Sequence, residues 1–280
     1  MKKIELNKIT EISDWPERIL GLKPFKTPIR NNSKIEEEYN KDKYAKLLDF
    51  YKKNNVNYYE LRQYEFFKEV KNNTLYYSKD DEVFESDFDE VQKIWDKIFL
   101  EEILKEIENV DTIIELGCGW GYNLGILRKK IKELKIVGGE YSQNGVDLGN
   151  KLFEKENIKL QKFDYYEEKW DSLFENVENA LVFTSHSIEQ IPKFEKVFDN
   201  LKKHSNKIKT VIHFEPVIEL YGNSLMDSLR KKYAEINDYN RDLISTLKRE
   251  NISIVEIKPK EFGINPFNPT SIVKWKWKNE

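Results

Sequence analysis

Short apolar runs alternate with stretches of helical spacing through the second half of the chain. The runs are rich in β-branched residues and are typical of buried strands, because such side chains fill a pleated surface well. The runs that predict strands lie at residues 113–116, 135–140, 158–164, 179–184 and 208–214. Strands that alternate with helices favour a parallel sheet with helices on both faces. The pattern therefore predicts an α/β domain over residues 110–280.

The C-terminal part of the chain continues with one long helix and two strands. Apolar positions recur at helical spacing from Leu225 to Ile236, which predicts a helix over residues 222–250. Residues 252–257 and 271–278 predict the last two strands. In the second of them tryptophans and lysines alternate, so one face should be apolar and the other solvated. The Asn-Pro-Phe-Asn-Pro segment at 265–269 joins these strands and is interpreted as an ordinary turn.

More than 100 residues precede this pattern, and they carry many aromatic side chains. Residues 34–53 and 88–108 predict helices, and eight of the 15 tyrosines lie before residue 110. A flexible tail would be poor in aromatic residues. Residues 1–109 are therefore predicted to form a mainly helical cap. The cap is either a lid over a binding pocket, or a packing extension or dimer surface, and a homodimer is left open.

Composition excludes several classes of protein. The chain has 47 basic and 50 acidic residues and a net charge of −3, so it has no global field that would attract nucleic acid or an anionic membrane. Its single cysteine, Cys118, excludes an internal disulfide and a cysteine-built zinc site. The first 20 residues contain acids and no apolar core, so no signal peptide is predicted. Without a run of 18 apolar residues no membrane span is predicted either, and a soluble, cytoplasmic protein is expected.

Three glycines at alternate positions follow the first predicted strand and its terminal acid: Glu115-Leu-Gly117-Cys-Gly119-Trp-Gly121. Glycine lets the backbone of a strand–loop–helix unit approach a nucleotide-like ligand closely. The dinucleotide fingerprint would need glycine at Tyr122, and no Gly-Lys-Ser/Thr closes a P-loop. The carboxylate of Glu115 would repel a pyrophosphate. It suits a cation instead, such as S-adenosylmethionine with its ammonium and sulfonium groups. A strand–helix turn that merely needs glycine is the alternative.

The segment resembles motif I of the class I S-adenosylmethionine-dependent methyltransferases, whose pattern is E/D-x-G-x-G-x-G. The resemblance implies a Rossmann-like sheet of seven mostly parallel strands in the order 3-2-1-4-5-7-6, with strand 7 antiparallel and helices on both faces. It also implies that Glu140, at the end of the second strand, accepts the ribose hydroxyls. Asp164, at the end of the third, would accept the adenine amine beside Tyr165 or Tyr166. Acids thus end three successive strands, a more specific match than any one alone, although Glu140 could instead cap the next helix.

The resemblance places the cofactor on the glycine loop and at the ends of the next strands. The predicted cofactor-binding residues are Glu115, Gly117, Cys118, Gly119, Gly121, Asn123, Glu140, Tyr141, Asp164, Tyr165 and Thr184. Two features depart from the family pattern. Asn179 stands near the start of the fourth strand, where an acid is usual, and Gln190 stands where a histidine is usual. These departures keep a non-catalytic cofactor-binding protein open as an alternative.

One of the three histidines lies where the transferred methyl group would point. His186 follows the fourth strand at the carboxyl edge of the sheet and is predicted to be the general base. His213 and Glu215 alternate on the fifth strand, face the same way, and are predicted to line the acceptor pocket. His204 lies in a polar turn and is expected to be solvated. The alternatives are that His186 only packs or caps a helix, or that it holds a metal with His213 and Glu215; no metal is predicted.

These residues and the resemblance together predict in-line transfer of a methyl group from S-adenosylmethionine to a small polar acceptor, with S-adenosylhomocysteine as product. An acceptor hydroxyl is favoured, and family analogy alone suggests a sugar or another surface-glycan precursor. Methylation of a small amine is left open, because nitrogen does not strictly need a base. No nucleic acid and no membrane partner are expected.

Overall fold

A computed structural model describes residues 1–28, 30–67, 74–168, 170–250 and 252–278. Its strands are β1 Lys2–Ile4, β2 Thr74–Lys79, β3 Glu82–Asp87, β4 Thr112–Leu116, β5 Lys135–Glu140, β6 Ile158–Lys162, β7 Ala180–Ser185, β8 Ile208–Glu215, β9 Ser253–Phe262 and β10 Thr270–Lys276. Its helices are α1 Ile9–Ile12, α2 Trp15–Ile19, α3 Asn32–Ile35, α4 Ala45–Asn54, α5 Tyr58–Phe67, α6 Phe88–Leu104, α7 Tyr122–Lys130, α8 Gln143–Leu152, α9 Glu195–Lys203, α10 Leu225–Ile236 and α11 Leu243–Arg249. A π-helical run, Glu36–Tyr44, joins α3 to α4. In the residues that the structure describes, no helix combines the length and apolar character needed to span a bilayer.

Seven strands form the central sheet in the order β6-β5-β4-β7-β8-β10-β9. Neighbouring strands from β4 to β8 pair in parallel, and β10 pairs antiparallel with both β8 and β9. Counted from the first strand of this sheet, the order is 3-2-1-4-5-7-6 with strand 7 antiparallel, so the predicted fold is confirmed. Because the strands from β4 to β8 are parallel, their carboxyl ends lie together at one edge of the sheet, where α/β folds bind ligands.

Helices cover both faces of the sheet, as predicted. α6 lays Val91 and Trp95 into one apolar layer, while α9 and α11 contribute Phe198 and Leu247 to the layer on the other face. α6 precedes the first strand of this sheet, so the end of the predicted cap covers the sheet itself. The division of the chain at residue 110 stays a prediction.

The N-terminal region contains a second sheet that the hydrophobic pattern did not predict. β1, β3 and β2 pair antiparallel in that order. Ser78 of β2 also forms a bridge with Gly263, just after β9. The region therefore combines helices with a three-stranded sheet, and this sheet is tied to the turn between β9 and β10.

The helix predicted over residues 222–250 is two helices, α10 and α11, so that prediction is wrong. Asn237 ends α10, and its Nδ2 donates to the carbonyl four residues earlier at 2.9 Å. Asp238 follows with a φ of +54°. A short polar side chain that binds the backbone competes with helical hydrogen bonding, and a left-handed residue cannot continue a right-handed helix. The break allows the N–H of Asn240 to donate to the Glu189 carbonyl at 2.9 Å.

Two polar side chains that the sequence pattern predicts in solvent are buried, which corrects that prediction. Lys274 of β10 is 3 % exposed, and its Nζ lies 3.2 Å from carboxylate oxygens of Glu106 and Glu256. His204 stacks on Phe174 with ring centroids 4.3 Å apart, and burial lowers the pKa of His204. The alternation of lysines and tryptophans therefore does not predict a solvated face at Lys274, because carboxylates pack over this lysine.

Candidate functional site

A cavity of about 340 Å³ lies at the carboxyl edge of the central sheet. Its wall comes from the glycine loop after β4, the turn after β7, the turn between β9 and β10, α6, and the helical region from Tyr39 to Phe66. Six predicted site residues lie on this wall: Glu115, Gly117, Cys118, Gly119, Asn123 and His186. The structure does not bring the other eight onto it: Gly121, Glu140, Tyr141, Asp164, Tyr165, Thr184, His213 and Glu215. The two sets also differ in their contacts with the rest of the chain.

The glycine loop uses backbone conformations that other residues adopt only with strain. Gly117 has a φ of +72° and Gly119 a φ of +58°, in the left-handed region that glycine occupies without a steric cost. A Cβ on Gly117 would collide with the Cβ of Ser187, and one on Gly119 would lie 2.6 Å from the Tyr44 hydroxyl. The loop therefore admits groups that approach its backbone very closely.

Glu115 is buried with half of its carboxyl group unpartnered. It is 1 % exposed, and Asn123 Nδ2 donates to its Oε1 at 2.7 Å. Its Oε2 has no hydrogen-bond partner among the described residues. Burial raises the pKa of Glu115 well above its usual range, and the hydrogen bond from Asn123 offsets only part of this. A proton or a cation stabilises such a carboxyl group, so the residue suits a ligand ammonium group beside the glycine loop.

The acids at the next two strand ends are held by the protein itself. Glu140 accepts from the Gly119 N–H at 2.8 Å and from the Ser142 N–H at 2.7 Å. Asp164 accepts from the N–H two residues further on at 2.8 Å and from Asn32 Nδ2 at 2.7 Å. Ser142 caps α8, because its Oγ accepts from the N–H three residues further on at 3.1 Å. Both acids are thus satisfied by neighbouring groups of the chain.

Four other predicted cofactor residues lie off the cavity wall and make contacts within the chain. The Tyr165 hydroxyl donates to the carbonyl at the end of β4 at 2.8 Å, and Thr184 Oγ1 lies 2.9 Å from the ring of a core histidine. A lysine ammonium lies 4.3 Å from the centroid of the Tyr141 ring. Gly121, with a φ of +85°, immediately precedes α7. Direct contact of these residues with a cofactor stays a prediction.

His186 follows β7 with both ring nitrogens hydrogen-bonded. Its Nδ1 lies 3.1 Å from Glu189 Oε2, and its Nε2 lies 2.6 Å from Thr270 Oγ1. The backbone has a φ of +48°, a strained conformation for a residue other than glycine and one that clusters at functional sites. Burial lowers the pKa of His186, but the carboxylates of Glu189 and Glu215 raise it by more. The ring is therefore a base with a pKa above the ordinary value for histidine.

Glu189 connects His186 to the turn between β9 and β10. Its side chain is 7 % exposed and accepts from Asn268 Nδ2 at 2.8 Å and from Gln190 Nε2 at 2.9 Å. Burial raises the pKa of Glu189, but His186 and these hydrogen bonds lower it by more. An ionised carboxylate can only accept, so Nδ1 of His186 carries the hydrogen. In the neutral ring the Thr270 hydroxyl then donates to Nε2, whereas in the protonated ring Nε2 donates to Thr270.

The prediction that His213 and Glu215 line the acceptor pocket is wrong. His213 is fully buried: its Nδ1 lies 2.9 Å from Thr184 Oγ1, and Trp275 Nε1 donates to its Nε2 at 3.0 Å. Burial lowers the pKa of His213 to about 3. Glu215 accepts the N–H groups of the three residues after His186, at 3.0, 3.2 and 3.3 Å, and burial raises its pKa to about 7. The two side chains share a strand face, but that face is packed, so they support the wall from behind.

These positions also separate the three residues that the sequence grouped as an alternative metal site. Both nitrogens of His213 are engaged in the core, whereas the ring of His186 lies on the cavity wall. Within the described ranges of the chain, no group of three or more histidine, cysteine or carboxylate side chains is arranged to hold a metal ion.

Neither a family model nor a curated protein matches the chain. Among solved structures, the chain is similar to geranyl diphosphate C-methyltransferase from Streptomyces coelicolor A3(2) in complex with Mg²⁺, geranyl diphosphate and S-adenosyl-L-homocysteine. The identity is 12 %, the likeness covers 69 % of this chain and 81 % of that one, and the TM-score is 0.50. The chain has the methyltransferase fold. Magnesium protoporphyrin IX methyltransferase from Synechocystis PCC 6803, with bound S-adenosylhomocysteine, is also similar, at 14 % identity over 68 % of this chain and 84 % of that one, with a TM-score of 0.46.

On this methyltransferase fold, the N-terminal region adds wall residues that sequence reasoning missed. Glu65 of α5 lies 2.7 Å from both Lys43 and Arg62 and accepts from Trp120 Nε1 at 3.1 Å. Burial raises the pKa of Glu65, but the two cations outweigh it and lower the pKa to about 2. Phe66 lies beside them on the wall. Glu65 thereby ties the N-terminal region to the glycine loop, and no local motif marks this pairing.

The turn between β9 and β10, which its sequence presents as ordinary, reaches the cavity. Asn265, Asn268 and Thr270 lie on the wall, and Arg230 Nε donates to the Pro266 carbonyl at 3.0 Å. The strand order of the methyltransferase fold could have predicted the position of this turn. Since β9 runs parallel to β8, the turn that follows it must lie at the carboxyl edge.

Proposed function

We propose that this chain binds S-adenosylmethionine at the carboxyl edge of β4, β5 and β6 and transfers its methyl group to a hydroxyl of a small polar molecule. The observation that carries the proposal is Glu115, a buried carboxyl group with an unpartnered oxygen on the wall of the cavity. The glycine loop that follows it and the methyltransferase fold support the same cofactor.

The residues present fit that cofactor. An ammonium group would neutralise Glu115, and the backbone of Gly117 and Gly119 on the same cavity wall would lie beside the methionine part. Glu140 and Asp164 can accept from the ribose hydroxyls and the adenine amine, because a carboxylate accepts hydrogen bonds at both of its oxygens. When bound, the cofactor supplies an electrophilic methyl group on a sulfonium.

His186 would take the proton of the acceptor hydroxyl at Nε2. Glu189 keeps the hydrogen on Nδ1, so the lone pair of Nε2 is available to a donor and is used by Thr270 in this structure. An acceptor hydroxyl that replaces Thr270 would lose its proton to Nε2 as its oxygen bonds to the methyl carbon. The sulfonium would supply the methyl group and keep the electron pair of its carbon–sulfur bond, and Glu189 would stabilise the imidazolium. General-base catalysis of this kind contributes about 10²–10⁴-fold.

The cavity wall favours a small acceptor with both polar and apolar surface. Phe66, Trp95 and Phe262 form an aromatic part, and Asn265 and Asn268 form a polar part. A sugar or surface-glycan precursor matches the polar part and otherwise rests on family analogy. The proposal is therefore a small polar acceptor, without a narrower class.

Thermal unfolding in the presence of S-adenosylhomocysteine, NAD or ATP tests the cofactor. A ligand at about 100 times its Kd stabilises a protein by roughly 2.7 kcal/mol, which raises Tm by several degrees. A rise in Tm with S-adenosylhomocysteine alone supports the proposal, and a rise with NAD alone contradicts it. Transfer of labelled methyl groups to small molecules of a cell extract then separates an enzyme from a non-catalytic binding protein.

A further inference from the structure

The adenosine half of the proposed cofactor site is covered by residues 31–44 of the chain itself, here called the strap. Asn40 Oδ1 accepts from Ser142 Oγ at 2.7 Å and from the Asn144 N–H at 2.9 Å. The carbonyl of Asn40 also accepts from Asn144 Nδ2 at 2.9 Å. These hydrogen bonds fasten the middle of the strap to the start of α8, directly after Glu140.

Tyr44, the last residue of the strap, fills the space beside Glu140. A Cβ on Gly119 would lie 2.6 Å from the Tyr44 hydroxyl. A Cβ on Gly145 would lie 3.3 Å from the Tyr44 ring and 3.1 Å from the Glu140 side chain. Both Tyr44 and Glu140 are 6 % exposed. The tyrosine ring therefore lies between the glycine loop and α8, where ribose hydroxyls would have to meet Glu140.

Asn32, near the start of the strap, gives Asp164 the kind of donor that adenine would give it. Asn32 Nδ2 lies 2.7 Å from Asp164 Oδ2. Because a carboxylate only accepts, the NH₂ group of the amide must face it, and the exocyclic amine of adenine is also an NH₂ donor. The cavity wall accordingly includes Glu115 but neither Glu140 nor Asp164.

Polar contacts hold much of the strap in place, and Tyr39 and Tyr44 pack against an apolar cluster that includes Leu48 and Trp120. Of the nine residues in its π-helical run Glu36–Tyr44, Tyr44 alone is buried. π-helical geometry is rare and occurs frequently at functional sites. Segments with few buried apolar contacts open at a low cost in free energy. Lifting the strap therefore removes Tyr44 from this cluster but leaves the two apolar layers on the central sheet in place, because neither layer contains a strap residue.

We propose that the strap and the adenosine part of the cofactor compete for one site, so that the cofactor binds only when the strap lifts from Glu140 and Asp164. This inference rests on the proposed function, which makes those two acids ligands of the cofactor. The apparent Kd is then the intrinsic Kd divided by the fraction of molecules in which the strap is open. A change that weakens the strap and leaves both acids in place tightens binding.

Calorimetric titration of the full chain with S-adenosylhomocysteine tests the competition. Asn40→Ala removes the two side-chain hydrogen bonds that join the strap to Ser142 and Asn144, together with one to Glu36 within the strap. It is expected to tighten binding roughly threefold to tenfold. Asn32→Ala, which frees Asp164, is expected to act in the same direction. Lys41→Ala is the matched control, since Lys41 is exposed on the same strap, and its Kd is expected to equal that of the unmodified chain.

Equal or weaker binding by Asn40→Ala and Asn32→Ala would overturn the competition, and weaker binding would make the strap part of the cofactor's own binding surface. Absence of binding by all four proteins, the unmodified chain included, would instead overturn the proposed function and the competition with it.

Hydrogen exchange of the unmodified chain gives a second measurement that needs no variant. Backbone amides of residues 36–44 are expected to exchange faster when S-adenosylhomocysteine is added, because the ligand displaces the strap. A lid that closes over its ligand would show the opposite. Slower exchange in these residues would therefore overturn the competition.

Discussion

The two halves of the proposed cofactor site lie at one sheet edge and use the same type of residue, yet they differ in what satisfies each acid. Glu115 lies on the cavity wall, and its Oε2 has no hydrogen-bond partner in the part of the chain that the structure describes. Glu140 and Asp164 each accept two hydrogen bonds from the protein, and the strap covers both. The part of the site around Glu115 is here called the open half, and the part around Glu140 and Asp164 the closed half. The position of an acid at a strand end makes it a candidate ligand, but its neighbours decide whether it is ready to bind.

His186→Ala gives the largest expected effect, because His186 is the proposed base and lies on the same cavity wall as Glu115 of the open half. Loss of the base is expected to lower kcat by about 10²–10⁴-fold and to leave the affinity for S-adenosylhomocysteine nearly unchanged. Methyl-transfer kinetics and calorimetry measure the two quantities. Added imidazole should restore part of the activity, which it would not do if the ring only packed. Full turnover by the variant would contradict the role of base.

Glu115→Gln keeps the shape of the open half and removes its charge. Loss of a charge-assisted hydrogen bond of about 1.5–3 kcal/mol is expected to weaken binding of S-adenosylhomocysteine by roughly tenfold to a hundredfold. Glu101→Gln, on the exposed side of α6, is the matched control and should leave the Kd unchanged. If Glu115→Gln bound as tightly as the control, the carboxyl group would not be the site of the ligand ammonium.

Glu189→Gln is expected to change the pH dependence of catalysis through His186, which shares the cavity wall with the open half. The carboxylate of Glu189 helps to raise the pKa of His186, and the neutral ring is the base, so activity falls as the pH drops through that pKa. Without the carboxylate this pKa is lower, so the acid limb of the kcat/KM profile should move to lower pH, with kcat reduced roughly tenfold. Profiles between about pH 5 and 8 show the limb. A limb that does not move would exclude Glu189 as the residue that positions and tunes His186.

Local signals were sufficient to predict the strands, and the resemblance carried by the glycine loop implied their order in the sheet and the proposed role of Glu115. β-branched runs determine where the strands lie, and the glycines at 117 and 119 are required by left-handed backbone angles. Glu115 and His186 follow from the ends of those strands. His213 shows the limit of such reasoning: alternation tells which side chains share a strand face, but not that Phe194 packs edge-on against that face.

The closed half depends on contacts that no local pattern contains. Asn40 meets Ser142 and Asn144 across more than 100 positions of the chain, and Asn32 meets Asp164 across 132. Asparagine is common in turns and caps, so its presence in the N-terminal region carries no signal for a site. The strap could be recognised only after the fold had placed it over the two acids.

Ser142→Ala gives the smallest expected effect and distinguishes the two halves most sharply. Ser142 caps α8 and also donates to Asn40 of the strap. Loss of the cap is expected to cost about 1 kcal/mol of stability and to lower Tm by roughly 2–4 °C. Loss of the strap contact should tighten binding of S-adenosylhomocysteine by about threefold.

Ser245→Ala, at an exposed serine near the start of α11, is the control and should change neither quantity by as much. A site that is merely loosened binds its ligand less well, so lower stability together with higher affinity is the result that competition predicts. If both fall together, Ser142 only supports α8 and the closed half is not held shut by the strap.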